Sequence, residues 1–545
     1  MISARRAHGT SMGLWTKRIL QASVPLLVGL LMAHPAIATE VSAPAQPPVE
    51  GRLTAPAPEE VPPPQGQIPI TTHHTIHIHG ETLSYTATTG TLRVLAEGGN
   101  PGANIFFVAY VKDGESDPAK RPIAFAFNGG PGASSVWLHM GGLGPRRVRL
   151  AHPGQPGAPP FEMVDNESTW LDRTDLIFID PVGTGFSREI APKEPQKQAG
   201  AFYGVKEDVR AMADFIRLYT SRYQRWNSPK FLVGESYGAT RAVLLGSTLL
   251  DRFGMSLNGL ILVSPVLDFG TLSFDIGNDL PYLAFLPTFA VTAAYHDKTS
   301  IKKPRSVPEL AKAAEQWAAE TYWPLLLKGD GLNPNDRKQL IENLCRLTGL
   351  SPEQIDRRNL RIENVDFAQE YLGREHRALS MMDSRFSVAG DHADPSSDDP
   401  ALVSTVSAYV AAFNDYVRKD LGYETDGAYE YLSWEVNQKW DWKHRGQGYL
   451  NVASDLARLL KKSSQLQVYV ATGYYDLVAP YFGTSYTLNH LMLDAGLHRN
   501  IRQVIYEGGH QMYTDANVLE KLKTDVTAFI HDAFSRGKPT QQARQ

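Results

Sequence analysis

Cysteine occurs once in the 545 residues, as Cys345, so the chain closes no intramolecular disulfide and its stability must come from a buried core. With 42% of residues hydrophobic, there is material for one large core and a second, smaller one. Positive charge is not in surplus either. The 54 basic residues against 58 acidic ones leave a net charge of −4, which offers a polyanion such as nucleic acid nothing to bind. No segment repeats at a fixed period. Metal-ligand clusters are scarce: His73, His74, His77 and His79 lie close together, with His77 and His79 expected on one strand face. A pair of imidazoles alone reads as a solvated strand edge rather than a ligand set, and nothing else in the sequence asks for a metal or other cofactor.

A long, uninterrupted apolar run is also missing near the N-terminus. Ile19 to Met32 is broken by Gln21, Ser23 and Pro25 and is short for a bilayer span. It follows Arg5, Arg6, Lys17 and Arg18 and precedes Ala36-Ile37-Ala38, the pattern of a secretory cleavage site. Residues 1–38 are therefore expected to be a signal peptide cut after Ala38. The product would be exported, periplasmic or secreted, with no membrane span. From Ser42 to Pro69 the chain holds nine prolines and few large apolar residues, a composition that cannot bury enough surface to fold. Residues 39–70 read as a tether.

From Thr75 the pattern turns β-rich, with Thr75–Ile78 and Ile105–Tyr110 as antiparallel strands. Short apolar runs then recur at Ile123–Phe127, Leu176–Ile179, Phe231–Val233, Leu260–Val263, Gln467–Val470 and Arg502–Tyr506. Such runs suit strands buried on both faces of a mostly parallel sheet. Helical patterns lie between them: Val209, Met212, Ile216 and Tyr219 recur at helical spacing, and Ala242–Leu250 is apolar and helix-compatible. This alternation predicts an α/β fold with helices on both faces of the sheet. It breaks from 269 to 449, read as a largely helical inserted cap over the strand ends. The core then comprises 71–268 and 450–535, with a flexible tail at 536–545.

Gly234-Glu235-Ser236-Tyr237-Gly238 matches G-x-S-x-G, directly after an apolar strand and before a helix. That context makes a tight strand-to-helix turn that exposes the serine hydroxyl. A serine hydroxyl is a weak nucleophile until a base takes its proton. Two later loops supply the partners: Asp476 after the strand Gln467–Val470, and His510, preceded by Gly508-Gly509, after Arg502–Tyr506. The order Ser, Asp, His is that of α/β-hydrolases. Ser236 is thus the candidate nucleophile, His510 the base and Asp476 the residue that orients it. Asn128-Gly129-Gly130-Pro131-Gly132 follows the strand Ile123–Phe127, and the N–H groups of Gly130 and Tyr237 are assigned to an oxyanion hole.

At this point the chain resembles the serine carboxypeptidases. The matching segments are Asn128 to Ser135, Leu143-Gly144-Pro145, Asp180 to Ser187, Gly234 to Gly238, the Asp476 loop with Pro480, and Gly508-Gly509-His510. The resemblance implies an α/β-hydrolase fold and an exopeptidase that removes C-terminal residues, preferably in acid, from peptides with a free C-terminus. It also implies that Asn128, Gly129 and Glu235 bind the substrate's terminal carboxylate. A buried carboxylic acid near a second carboxylate keeps its proton to higher pH and donates a hydrogen bond. Two departures stand out. Many members carry a second glutamate where this chain has Gly142, and often a disulfide-forming cysteine where it has Ala133. The first leaves the carboxylate clamp incomplete, and the second leaves the insertion to be held by packing. An esterase or acyltransferase using the same triad is the nearest rival, because the acyl-enzyme chemistry is shared. A catalytically silent binding module is disfavoured by the intact Ser, Asp, His and glycine turn.

Overall fold

The computed structural model describes residues 68–95, 101–150, 157–190, 202–299, 306–389 and 399–536. The expected signal peptide, nearly all of the tether and most of the tail lie outside these residues. Nine strands carry the main sheet: β1 (Ile70–Ile78), β2 (Glu81–Leu95), β3 (Pro101–Lys112), β4 (Ile123–Phe127), β5 (Asp175–Ile179), β6 (Lys230–Glu235), β7 (Gly259–Val263), β8 (Gln467–Gly473) and β9 (Ile501–Tyr506). Their order is β1-β2-β3-β5-β4-β6-β7-β8-β9, with the short strand Arg188–Glu189 added beside β3. β1, β2 and β3 pair antiparallel, as do β3 and β5. From β5 to β9 every pair is parallel.

Five of the six apolar runs are explained by burial on both faces; the sixth, Arg502–Tyr506, lies in the edge strand β9 and is only partly buried. Along the central strands Ala124, Ala126, Phe231, Val233, Ile261 and Val263 enter one core, while Ile123, Phe125, Phe127, Leu232, Leu260 and Leu262 enter another. Alternate residues therefore point to opposite covered faces, and no position is left for a polar residue. Each fully buried Val, Leu, Ile or Phe contributes about 1.5–3 kcal/mol. Helix α2 (Tyr237–Phe253) packs against β6, while α1 (Val205–Arg222) packs against α2 and β2, with Val209, Met212, Ile216 and Tyr219 on its buried face.

β2 was not anticipated, although β1 and β3 were. β1 also corrects the histidine pattern: His77 is an exposed strand residue, but His79 falls in the following turn with φ 48°. His73 instead bonds Thr86 Oγ1 at 3.1 Å, and His74 stacks on Tyr85.

No described residue between Val263 and Gln467 joins the main sheet. This stretch is largely helical. It includes α3 (Leu280–Tyr295), α4 (Val307–Trp317), α5 (Pro334–Thr348) and α6 (Pro400–Lys419), and the paired strands Arg377–Leu379 and Ser387–Ala389. Phe285, Phe289, Tyr322, Leu344 and Phe367 form its own core. Cys345 sits half-buried on α5.

Candidate active site

β6 ends at Glu235 and α2 begins at Tyr237, so Ser236 alone makes the turn between them. Its φ of 60° and ψ of −126° are strained for a non-glycine residue and persist only because the surroundings hold them. Ser236 N donates to the Val263 carbonyl at 3.0 Å, and the Ser236 carbonyl accepts from Ala239 N at 3.0 Å. A Cβ on Gly234 would lie 2.2 Å from the Gly238 carbonyl oxygen; only glycine allows strand and helix to approach this closely. From Ser228 to Ser247 every residue is buried except Ser236. An otherwise closed element thus turns one residue toward the outside.

Asp476 and His510 follow β8 and β9, which pair directly. Asp476 Oδ2 lies 2.8 Å from His510 Nδ1, and its Oδ1 accepts from the N–H groups of Val478 and Ala479, both at 2.8 Å. The two backbone donors fix the angle of this fully buried carboxylate toward the imidazole. Burial disfavours the charged imidazole, but the Asp476 carboxylate beside it outweighs burial, so the His510 pKa is raised. With Nδ1 committed to Asp476, Nε2 is the free ring nitrogen. The Ser236 hydroxyl makes no hydrogen bond to His510 among the described residues.

The glycine turn after β4 lies against the elbow. Asn128 Nδ2 donates to Glu235 Oε1 at 2.8 Å, Asn128 Oδ1 accepts from Leu138 N at 3.2 Å, and the Asn128 carbonyl accepts from Arg241 at 2.6 Å. A Cβ on Gly129 would lie 2.6 Å from both Tyr237 N and Gly238 N. The turn therefore passes directly over the first N–H groups of α2, which lack intrahelical acceptors. Gly130 is exposed at φ 96°. Asn128, Gly129, Gly130, Glu235 and Tyr237 are thus gathered beside Ser236. Burial pushes the Glu235 carboxyl up to about 7, against the opposing effects of the His510 charge and the Asn128 bond. Its buried Oε2 makes no hydrogen bond of ordinary geometry, and the Tyr513 hydroxyl, likewise unpaired, is the group that faces it.

The sequence profile of the serine carboxypeptidases matches residues 81–523. The chain belongs to the serine carboxypeptidase family. Serine carboxypeptidase-like 51 of Arabidopsis thaliana is 33% identical over 175 residues, covering 30% of this chain and 34% of that protein. The pheromone-processing carboxypeptidase KEX1 of Saccharomyces cerevisiae (strain JAY291) is 29% identical over 156 residues, 28% of this chain and 20% of that protein. These matches span about a third or less of the relatives' length. The crystal structure of KEX1(delta)p from Saccharomyces cerevisiae aligns at a TM-score of 0.54 and 18% identity, over 82% of this chain and 91% of that one. That likeness is one of fold, the α/β-hydrolase fold.

Both departures from the family pattern have local explanations. A Cβ at Gly142 would meet Tyr513 Cβ at 3.2 Å, and one at Gly141 would meet the Tyr513 ring at 2.7 Å. The Tyr513 ring, three residues past His510, occupies the space beside these two glycines. At Ala133 the insertion is fastened by backbone rather than by packing alone: Ala133 bridges Leu432, Ser134 N donates to the Tyr431 carbonyl at 2.9 Å, and Ser433 N donates to the Gly132 carbonyl at 2.8 Å.

Several supporting residues escaped the sequence reading. Ser264 Oγ donates to the His510 carbonyl at 2.7 Å. Asp180, which the sequence places only in the matching segment Asp180–Ser187 without a role, accepts through Oδ1 from Ser135 N and Oγ at 2.9 and 2.8 Å, with burial pushing its carboxyl up to about 6. Arg241, wholly buried, pairs with Asp208 at 2.6 Å as it holds the Asn128 carbonyl. A charged residue inside the apolar run of α2 was the one available signal for Arg241. Ser264 and Asp208 carried none.

Proposed function

We propose that the chain is an exported serine carboxypeptidase that releases C-terminal residues from peptides through an acyl-enzyme on Ser236. His510 Nε2 takes the hydroxyl proton as Ser236 Oγ attacks the scissile carbonyl, and later gives it to the leaving amine. Asp476 holds the imidazole in the required tautomer and stabilises its charge. The N–H groups of Gly130 and Tyr237 receive the developing oxyanion. Water then takes the place of the amine and the steps run in reverse. The missing Ser236–His510 hydrogen bond fits this reading, since such bonds often form only with substrate bound.

The observation that carries the proposal is the pairing of the 2.8 Å Asp476–His510 contact with Ser236 as the sole residue turned out of the buried elbow. Exopeptidase specificity rests on Glu235. With its pKa at about 7, it is protonated in acid and donates to a terminal carboxylate, with Asn128 and the Gly129 backbone beside it. Burial, with a smaller contribution from the Asp476 charge, supplies this shift without a second glutamate at Gly142. The test compares one peptide as free acid, as C-terminal amide, and a simple ester. Rapid release from the free acid alone supports the proposal. Equal turnover of acid and amide, or turnover of the ester only, transfers the triad to an esterase or acyltransferase.

A further inference from the structure

The loops bearing Asp476 and His510 meet at one turn of the inserted region. The Met381 carbonyl accepts from Leu477 N at 3.0 Å, and the Met382 carbonyl accepts from His510 N at 2.6 Å. Ser384 N donates back to the Tyr475 carbonyl at 2.9 Å. Two consecutive carbonyls of the insertion therefore grip the residue after Asp476 and His510 itself. The fit is close: a Cβ on Gly509 would lie 2.2 Å from the Met382 carbonyl oxygen and 2.5 Å from Asp383 Cβ.

For these two carbonyls to face the catalytic loops, the N–H groups of the same residues need acceptors on the other side. Asp399 provides them. Its Oδ2 accepts from Met381 N at 2.6 Å and Met382 N at 3.2 Å, and Ser380 Oγ donates to Oδ1 and Oδ2 at 2.8 and 3.0 Å. Ser380 Oγ in turn accepts from Asp383 N at 3.0 Å. Asp399 Oδ1 also accepts from Ala401 N and Leu402 N at 3.0 and 3.1 Å, capping α6. This carboxylate is 2% exposed and is shared between a helix start and the turn. A second fastening comes from Arg385, which pairs with Asp383 at 2.7 Å and Asp515 at 3.4 Å and lies over the Tyr475 ring.

We propose that the turn Ser380–Phe386 is the positioning element of the acid–base pair, and that Asp399 is the positioning residue that shapes it. The insertion is then more than a cover over the site: it sets the distance and angle between His510 and Asp476. The inference rests on the triad reading given above. It assigns Asp399 no contact with substrate and no proton to transfer.

The test uses the full chain with Asp399→Asn, which places amide hydrogens against backbone N–H groups, and Ser380→Ala, which leaves Asp399 intact. kcat and KM for a free-acid peptide, the acid limb of kcat, and the rate of Ser236 labelling by a fluorophosphonate are measured per folded enzyme. A misplacement of this kind should lower kcat about 10- to 100-fold in Asp399→Asn, with KM changed by less than about 2-fold. Labelling should slow in parallel. The acid limb should move in Ser380→Ala as well as in Asp399→Asn, because a displaced turn alters the 2.8 Å His510–Asp476 contact that raises the imidazole's pKa, and Ser380→Ala does so with the Asp399 charge in place. Ser380→Ala should show a smaller loss in the same direction. If Asp399→Asn does not fold, Ser380→Ala and the wedge Gly509→Ala decide. Variants that lose stability yet keep wild-type kcat, labelling rate and acid limb would overturn the proposal. Ser236→Ala is run alongside: if it stays active, the triad reading itself fails, whereas if it is dead and the other variants are normal, only the positioning role fails.

Discussion

Glu235→Gln puts the carboxylate-sensing role to the sharpest test. In the wild type, Glu235 Oε1 already accepts from Asn128 at 2.8 Å, and Oε2 makes no hydrogen bond of ordinary geometry, with the Tyr513 hydroxyl facing the carboxyl. A proton on Oε2 makes it the donor for the substrate carboxylate. Loss of that proton replaces attraction with repulsion. With the carboxyl at about 7, KM for a free-acid peptide should be about 2-fold higher at pH 7 than in acid, and about 11-fold higher at pH 8. A C-terminally amidated peptide should show little of this rise. In Glu235→Gln the new side chain would keep the bond from Asn128 through its carbonyl and present an amide N–H where Oε2 stood. The variant's KM for the acid should therefore stay flat across the same range. The assay is KM against pH for the matched acid and amide, in wild type and Glu235→Gln. Parallel pH dependence for acid and amide in the wild type would refute the reasoning.

Further outcomes are expected from the same geometry. Ser236→Ala and His510→Ala should each cost about 10⁴- to 10⁶-fold in kcat, and Asp476→Asn about 10⁴-fold through the wrong imidazole tautomer, all read by steady-state kinetics. Gly129→Ala places a methyl 2.6 Å from Tyr237 N and should lower kcat by about 10²- to 10³-fold, more than it changes KM. Arg241→Met strands the buried Asp208 carboxylate and should destabilise the fold by about 3–5 kcal/mol in denaturant unfolding; an unchanged midpoint would contradict this. N-terminal sequencing of protein from its native cell should begin near Thr39, and an intact Met1 in a membrane fraction would count against export.

The central sheet was legible because its strands are buried on both faces: Ile123–Phe127 and Gly259–Val263 leave no position for a polar residue. β2 was missed because its alternation, Thr82 to Thr91, is rich in threonine and carries a glycine, so its apolar signal is weak. Ser236 and Asp476 were readable as motifs since each follows such a strand, whereas His510 follows the partly exposed edge strand Ile501–Tyr506 and was readable from the glycine pair before it. What holds them was not. The Met381 and Met382 carbonyls act through backbone, which the side-chain alphabet does not encode, and Asp399 reaches them from a separate helix start. Tyr513 was silent for a related reason: its role beside Gly141 and Gly142 depends on packing between segments far apart in the chain.

The central claim is that Ser236 cleaves a peptide from its free C-terminus. It is tested most directly by incubating purified wild type and Ser236→Ala with a free-acid peptide in mild acid and following the products by mass spectrometry. Stepwise loss of single C-terminal residues with wild type, and none above background with Ser236→Ala, is the predicted result. Internal cleavage, or equal release by both proteins, would contradict it.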